Sequence, residues 1–314
     1  MYRPSVGIDI GGTKLLAVRV EEDGSVVPDT VQASPKSGPE LIEEVLAATE
    51  RLAGGGPVSL GVGVPGLVDP SDTVRFAPNL QGVTGTSLGE RLREALPGTP
   101  IWIGNDATAA CWAEHQRGAG AGHAEMIMVA LGTGVGGGIV SRGELLEGAN
   151  RYAGEFGHMV VDPNGPKCPC GKRGCWERFA SGAGLGFIGR ETALAGEAPR
   201  VVELAGDPEA VRGEHVTSAA SDGDADAIAV LRDFAWWVAL GVSNLENLLD
   251  PEVVVVGGGL AEAGELLLGP TREAYATLVL GYEHRPPVRI VGAALGSESG
   301  AIGAGLLARD LLDA

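Results

Sequence analysis

Apolar positions follow two spacings along this chain, and the switches between them predict its elements. Residues 6–10 form a short apolar strand, Gly11-Gly12 a tight turn and residues 15–20 a second strand, after which Asp23-Gly24 turns into a third. The period then changes to three and four, with Leu41, Ile42, Val45, Leu46 and Leu52 making the apolar face of a helix over about 39–52. A buried strand at 58–64 ends at Pro65-Gly66. Helix 87–96, strand 101–103 and helix 107–117 complete a first α/β lobe, with a boundary near 105–120. The opening pattern then recurs as strand 126–131, the turn Gly132-Thr133-Gly134, strand 136–140, and the Arg142-Gly143 turn into Glu144-Leu145-Leu146. Strand, Gly-Thr turn and strand in the same order at 9–20 and 130–140 point to a duplicated lobe.

Residues 195–225 are acidic and loosely patterned, and read as a helical insertion. Beyond them Ile228, Leu231, Ala235, Val238, Val242, Leu245 and Leu249 form one stripe of a long helix over about 224–249, stopped by Asp250-Pro251. Strand 253–256 enters Gly257-Gly258-Gly259, a helix follows to about 279, then strand 288–291 and a terminal helix 301–312. Returning that last helix to the first lobe gives a small lobe of residues 1–115 plus about 298–314 and a large lobe of 116–297.

The 314 residues exceed what one hydrophobic core usually spans, which agrees with two lobes. Glycine supplies 51 of them without a Gly-X-Y period, and 44% of the chain is hydrophobic, so collagen and disorder are both excluded. The glycines must serve loops. Forty-one acidic against 23 basic residues give a net charge of −18, which argues against nucleic acid or an anionic membrane surface as partner and favours a small molecule. If that molecule is an anion, backbone N–H groups in glycine turns and a metal must overcome the global field. The longest charge-free apolar stretch, 126–140, is shorter than a span of about 18 residues and holds five glycines. Met1-Tyr2-Arg3-Pro4 leads to Asp9 without the apolar region of a signal peptide, so the expected location is cytoplasmic.

Asp9-Ile10-Gly11-Gly12-Thr13-Lys14 puts a carboxylate at a strand end, then a turn that can close on a phosphate with a hydroxyl and a cation beside it. Asp9 could hold Mg²⁺ directly or through water. The spacing is not that of a Walker loop, and a hairpin turn with an exposed lysine would read the same way. Leu131-Gly132-Thr133-Gly134-Val135-Gly136-Gly137-Gly138 is a second such turn, with five glycines in seven positions, for which close approach to phosphate is a sufficient reason. Gly257-Gly258-Gly259 lies where a ligand would sit, at the carboxyl end of a strand. Asn105-Asp106 opens a helix, so by position alone it is an N-cap pair before it is a general base. Glu155-Phe156-Gly157-His158 precedes Cys168-Pro169-Cys170 and Gly174-Cys175-Trp176-Glu177, and one His with three Cys completes a closed, structural site for Zn²⁺. The fourth cysteine, Cys111, reads as core.

These motifs together resemble the ROK family (repressors, open reading frames and kinases), most closely its bacterial sugar kinases that act on glucose. The resemblance runs from Asp9 to about Gly305 and includes Gly61-Val62-Gly63-Val64-Pro65-Gly66, Asn105-Asp106, Glu155 to His158, the whole cysteine box and Asp250 to Gly259. It implies an α/β, actin-like ATPase (ribonuclease H-like) fold of two lobes with ATP and sugar in the cleft between them. It further implies that Asp106 deprotonates the sugar 6-hydroxyl for attack on Mg-ATP, which overturns the cap-only reading. By the same resemblance Gly66, Asn79, Asn105, Asp106, Glu155, His158 and Glu177 contact the sugar. Zinc sits on His158, Cys168, Cys170 and Cys175, with His158 serving both sites through its two nitrogens. Gly11, Gly12, Thr13, Lys14, Thr133 and Gly134 line the phosphates, and Gly257, Gly258 and Gly259 lie near the adenosine. The resemblance further implies a homodimer or homotetramer, since relatives of this kind are usually one or the other. One departure stands out: many relatives carry a Trp soon after Asn79-Leu80, where this chain reads Gln81-Gly82-Val83-Thr84. A repressor of the family should carry a helix-turn-helix before the first glycine turn, whereas eight residues precede Asp9.

Overall fold

The computed structural model describes residues 4–29 and 32–312. The chain divides into two compact units, one of Met1–Ala124, Gly137–Gly154 and Ala294–Ala314, the other of Glu125–Gly136 and Glu155–Ala293.

In the first unit β1 (Ser5–Ile10) and β2 (Lys14–Val20) form an antiparallel hairpin, with Ile10 opposite Leu15. The Gly11 N–H closes it on the Lys14 carbonyl at 2.9 Å. Short strands β3 (Val26–Pro28) and β4 (Gln32–Ala33) both pair with β2. Helix α1 (Gly38–Ala53) starts where the Ser37 side chain accepts from the Glu40 N–H and ends at left-handed Gly54. β5 (Ser59–Val64) then runs parallel to β1. The small hairpin β6 (Leu67–Val68) and β7 (Val74–Phe76) and helix α2 (Leu88–Ala95) lead to β8 (Ile101–Asn105), parallel to β5. Strand β8 is two residues longer than its apolar run predicts, because Gly104 and Asn105 continue the register opposite Gly63 and Val64. Helix α3 (Asp106–Arg117) follows without a linker.

Val6, Ile8, Leu60, Val62 and Ile103 pack with Leu41 and Val45 of α1 in one core. Behind the sheet runs the C-terminal helix, Ser299–Asp310, in near contact with the strand backbones. A Cβ on Gly61 would stand 1.8 Å from the Ala304 carbonyl oxygen, and one on Gly7 at the same distance from that of Ala301. Glycine alternates with apolar residues in these strands because one face takes side chains and the other takes a helix backbone.

The second unit opens with β9 (Met126–Leu131). Strand β10 (Val135–Ser141) begins there and from Gly137 belongs to the first unit, where Val140 pairs with Leu145 of β11 (Glu144–Leu145). From residue 155 the chain folds as α4 (Glu177–Ala180), α5 (Gly182–Leu194), α6 (Pro199–Ala205), α7 (Gly213–Ser221) and α8 (Ala225–Leu249). The loosely patterned 195–225 stretch is thus two short helices joined by a single turn. Strand β12 (Val253–Gly257), helix α9 (Glu265–Leu278) and strand β13 (Arg289–Gly292) complete the unit. β12 lies between β9 and β13, parallel to both, with Val254 opposite Ile127 and Ile290. In α8 the Asp224 side chain caps the Ala227 N–H at 2.9 Å, and the predicted stripe is buried at Leu231, Ala235, Val238, Val242 and Leu245. Among the described residues no helix is long and apolar enough to cross a membrane.

Candidate active site

Within the first unit, three parallel strands end side by side. The register sets Asp9 of β1 opposite Gly63 of β5, and Gly63 opposite Gly104 of β8. Asp106 follows two residues later, so close that a Cβ on Gly63 would lie 3.2 Å from its Cα. The two neighbours at the head of α3 make different contacts. Asn105 is the N-cap: its Oδ1 accepts from the Thr108 N–H at 2.9 Å, and its Nδ2 donates to the Gly66 carbonyl at 3.1 Å. Asp106 is the first residue of the helix, with Oδ1 accepting from the Ala107 N–H at 2.8 Å. Burial pushes its carboxyl up.

Asp9 is pushed further into view by the same surroundings. Burial, and then the nearby Asp106, raise its pKa from 3.8 to about 7 against the pull of Lys14. Its buried Oδ1 has no hydrogen-bond partner. Gly300 leaves room for this carboxylate, since a Cβ there would stand 2.5 Å from the Asp9 Oδ2 and push the side chain aside. An acid that titrates near 3.8 unfolded and about 7 folded binds more protons in the folded state, so stability falls as pH rises through that window. Asp9→Asn is therefore expected to raise the Tm of the ligand-free protein at pH 8 and to flatten its decline between pH 4 and 7. An unchanged melting curve at pH 8 would speak against a buried charge. The turn itself is held by Ser34, whose N–H donates to the Thr13 carbonyl at 3.1 Å. Gly12 lies against Asn79, with its ideal Cβ 3.6 Å from the Asn79 Cβ.

Within the second unit, two glycine turns meet at the carboxyl ends of β9 and β12. Left-handed Gly258 sits where a Cβ would be 2.4 Å from the Leu131 carbonyl oxygen, and Gly259 has open space beside it. The Gly132 N–H donates to the Gly134 carbonyl at 2.9 Å, leaving Thr133 exposed at the tip. The Val135 N–H donates to Glu177 Oε2 at 3.2 Å.

The cysteine box folds back on itself: Cys168 N–H donates to the Lys172 carbonyl at 2.8 Å and Trp176 N–H to the Met159 carbonyl at 2.7 Å. Trp176 is fully buried against Gly241 of α8, and its indole N–H donates to the Trp237 carbonyl at 2.7 Å. The ligand atoms of His158, Cys168, Cys170 and Cys175 all lie within 4.8 Å of one another. Cys170 Sγ is 3.6 Å from Cys175 Sγ, and Cys168 Sγ is 3.8 Å from His158 Nδ1. Thiolates on a tetrahedral zinc at about 2.3 Å stand about 3.8 Å apart, so donor type, number and spacing fit Zn²⁺. His158 turns Nδ1 to this cluster, while Nε2 is 4.0 Å from Glu155 Oε2.

The ROK family model matches residues 5–311. The chain belongs to the ROK family. It is 37% identical over 98% of both chains to the glucokinase of Streptomyces coelicolor, and 35% identical over 88% of both to that of Thermotoga maritima. Among solved structures it is similar to a ROK family glucokinase from Streptomyces griseus in complex with glucose and AMPPNP, with a TM-score of 0.87 and 36% identity over 98% of this chain and 99% of that one. The two α/β lobes are those of the actin-like ATPase fold that ROK kinases share.

Of the residues that the ROK resemblance singles out, the first unit carries Asp9, Gly11, Gly12, Thr13, Lys14, Gly66, Asn79, Asn105 and Asp106; the second carries Thr133, Gly134, Glu155, His158, the three cysteines, Glu177 and Gly257 to Gly259. Sequence reasoning missed two charged groups in the first unit. Arg151, at a left-handed φ of 60°, pairs with buried Asp72 at 2.8 Å and donates to the Ile103 carbonyl just ahead of Asn105. Buried Glu114 of α3 accepts from the N–H groups of Ala119, Ala294 and Leu295 at 2.8–2.9 Å. Charged residues in a loop and on a helix read as solvated, and nothing local distinguishes these two.

Proposed function

We propose that this ROK protein transfers the γ-phosphoryl group of ATP to the 6-hydroxyl of glucose, giving glucose 6-phosphate and ADP. The observation that carries this reading is the Asp106 carboxylate: half-buried, set against Gly63 of β5 at the strand ends and relieved of capping by Asn105, with desolvation pushing its carboxyl up. A base with a raised pKa is suited to take the 6-hydroxyl proton as the new O–P bond forms and the bond from the γ-phosphorus to the β,γ-bridging oxygen breaks. The glucokinase relatives support the choice of reaction and sugar.

On this reading Gly66, Asn79, Asn105, Glu155, His158 and Glu177 orient the sugar. Gly11, Gly12, Thr13, Lys14, Thr133 and Gly134 hold the phosphates, and Gly257 to Gly259 the adenosine. Asp9 would hold Mg²⁺, for which its partnerless buried Oδ1 is a fitting donor, and the ion would neutralise developing charge on the phosphates. Zn²⁺ on His158, Cys168, Cys170 and Cys175 would be structural, since four protein ligands leave no position for substrate. Sugar and ATP are then the partners, without nucleic acid or membrane, and the active form is a cytoplasmic homodimer or homotetramer.

The test is a coupled assay of ADP release with Mg-ATP on glucose, mannose, fructose, N-acetylglucosamine and N-acetylmannosamine. Preferential turnover of glucose is expected. Preference for an amino sugar would move the substrate while keeping the base, and no turnover on any sugar would favour a sugar-sensing role without catalysis.

A further inference from the structure

Glu177 stands between the metal cluster and the second glycine turn, and each of its carboxylate oxygens faces one of them. Oε2 accepts from the Val135 N–H at 3.2 Å and lies so flat against the turn that a Cβ on Gly134 would be 2.3 Å away. Oε1 is 3.8 Å from Cys168 Sγ. The chain entering Glu177 has little freedom, because the preceding Trp176 is buried and hydrogen-bonded through both its backbone and its indole. A second tie follows five residues later, where the Gly182 N–H donates to the Gly132 carbonyl at 2.8 Å. On the far side Gly157, next to ligand His158, packs on the Val135 carbonyl: a Cβ there would be 2.0 Å from that oxygen. Elements that flank the metal ligands therefore grip the turn at Gly132, Gly134 and Val135.

A carboxylate beside a turn that receives phosphates opposes the ligand's charge, so its position asks for a compensating role. We propose that Glu177 is a positioning residue that couples the metal cluster to the phosphate-holding turn, so that metal and nucleotide bind this protein cooperatively. This rests on the proposed nucleotide role of Gly132 to Gly134. It assigns the cysteine box an effect on nucleotide as well as on sugar. Because binding energies are linked reciprocally, the factor by which the metal tightens nucleotide must equal that by which nucleotide tightens the metal.

The experiment measures ADP affinity by calorimetry without sugar, zinc content by mass spectrometry, and zinc affinity by chelator competition with and without ADP. In the wild type, ADP is expected to tighten zinc by about 5-fold or more, within the usual range of coupling. Glu177→Ala is expected to keep its zinc, to bind ADP about 5-fold to 10-fold more weakly, and to lose the coupling, with a factor near 1. Glu177→Gln, which keeps an oxygen for the Val135 N–H, should recover most of the ADP affinity. Glu177→Asp, one methylene short, should not, and this pair decides the matter if the alanine variant fails to fold. Unchanged ADP affinity and coupling alongside weakened sugar binding would overturn the proposal and leave Glu177 a sugar contact alone. If the wild type binds ADP without shifting the amide resonances of Gly132 to Gly134, the nucleotide role of the turn is what fails, and the coupling falls with it.

Discussion

Asp106→Asn is expected to lower kcat by about 10²-fold to 10⁴-fold or more, the range over which a positioned base acts, with sugar and nucleotide affinities changed far less. The substitution is a mild one structurally. Asp106 occupies the first position of α3, Asn105 supplies the cap, and an amide oxygen can still accept from the Ala107 N–H. Loss of turnover would therefore report the missing base rather than a damaged helix. The pH profile gives a second check. The base works deprotonated, and burial pushes the Asp106 carboxyl above its usual range, so kcat/KM should rise with pH through that displaced value and level off above it. Near-wild-type turnover by Asp106→Asn would remove it from the mechanism.

Cys170→Ser is expected to strip the metal and weaken sugar binding together. Between residues 160 and 174 only Gly165, Cys168 and Gly174 are buried, so this loop has no apolar core of its own. The proposed metal would supply what hydrophobic burial supplies elsewhere, and structural zinc can contribute on the order of 10 kcal/mol to local folding. Burial pushes the Cys175 thiol up to about 12, so a cation is needed to draw out its thiolate at ordinary pH. Without the metal, His158 and the loop over 160–174 lose their anchor, and an affinity loss of about 10-fold or more for sugar is expected. The rest of the second unit should stay folded, because Trp176 remains buried against α8 and the β9, β12 and β13 core is independent of the loop. Mass spectrometry and circular dichroism separate these outcomes. Full metal content in the variant would refute the ligand set.

Much of the site was legible because its chemistry is local in the chain. The three cysteines lie within eight residues and His158 ten residues before Cys168, so the spacing already points to one cluster, which the Val160–Cys175 bridge and the Trp176 to Met159 hydrogen bond then draw together. The glycine turns at Gly11-Gly12, Gly132 to Gly134 and Gly257 to Gly259 follow strands whose apolar runs announce them. The end of β8 was less legible, since Gly104 and Asn105 join the strand through pairing with β5 and not through any apolar signal of their own.

The sequence by itself determined most of the strands and long helices, the three glycine turns and a His158 and three-cysteine cluster of metal-binding type, because burial period, turn conformation and ligand spacing act over a few residues. It did not determine the β6–β7 hairpin or α5. Only the tertiary structure decided which neighbour caps α3, since that choice depends on Asn105 reaching Gly66, 39 residues away. It also joined Glu177 to Val135 across 42 residues and Glu114 to Ala294 across 180. A hydrogen bond takes whichever partner the register of distant strands brings within about 3 Å, and no local pattern records that partner.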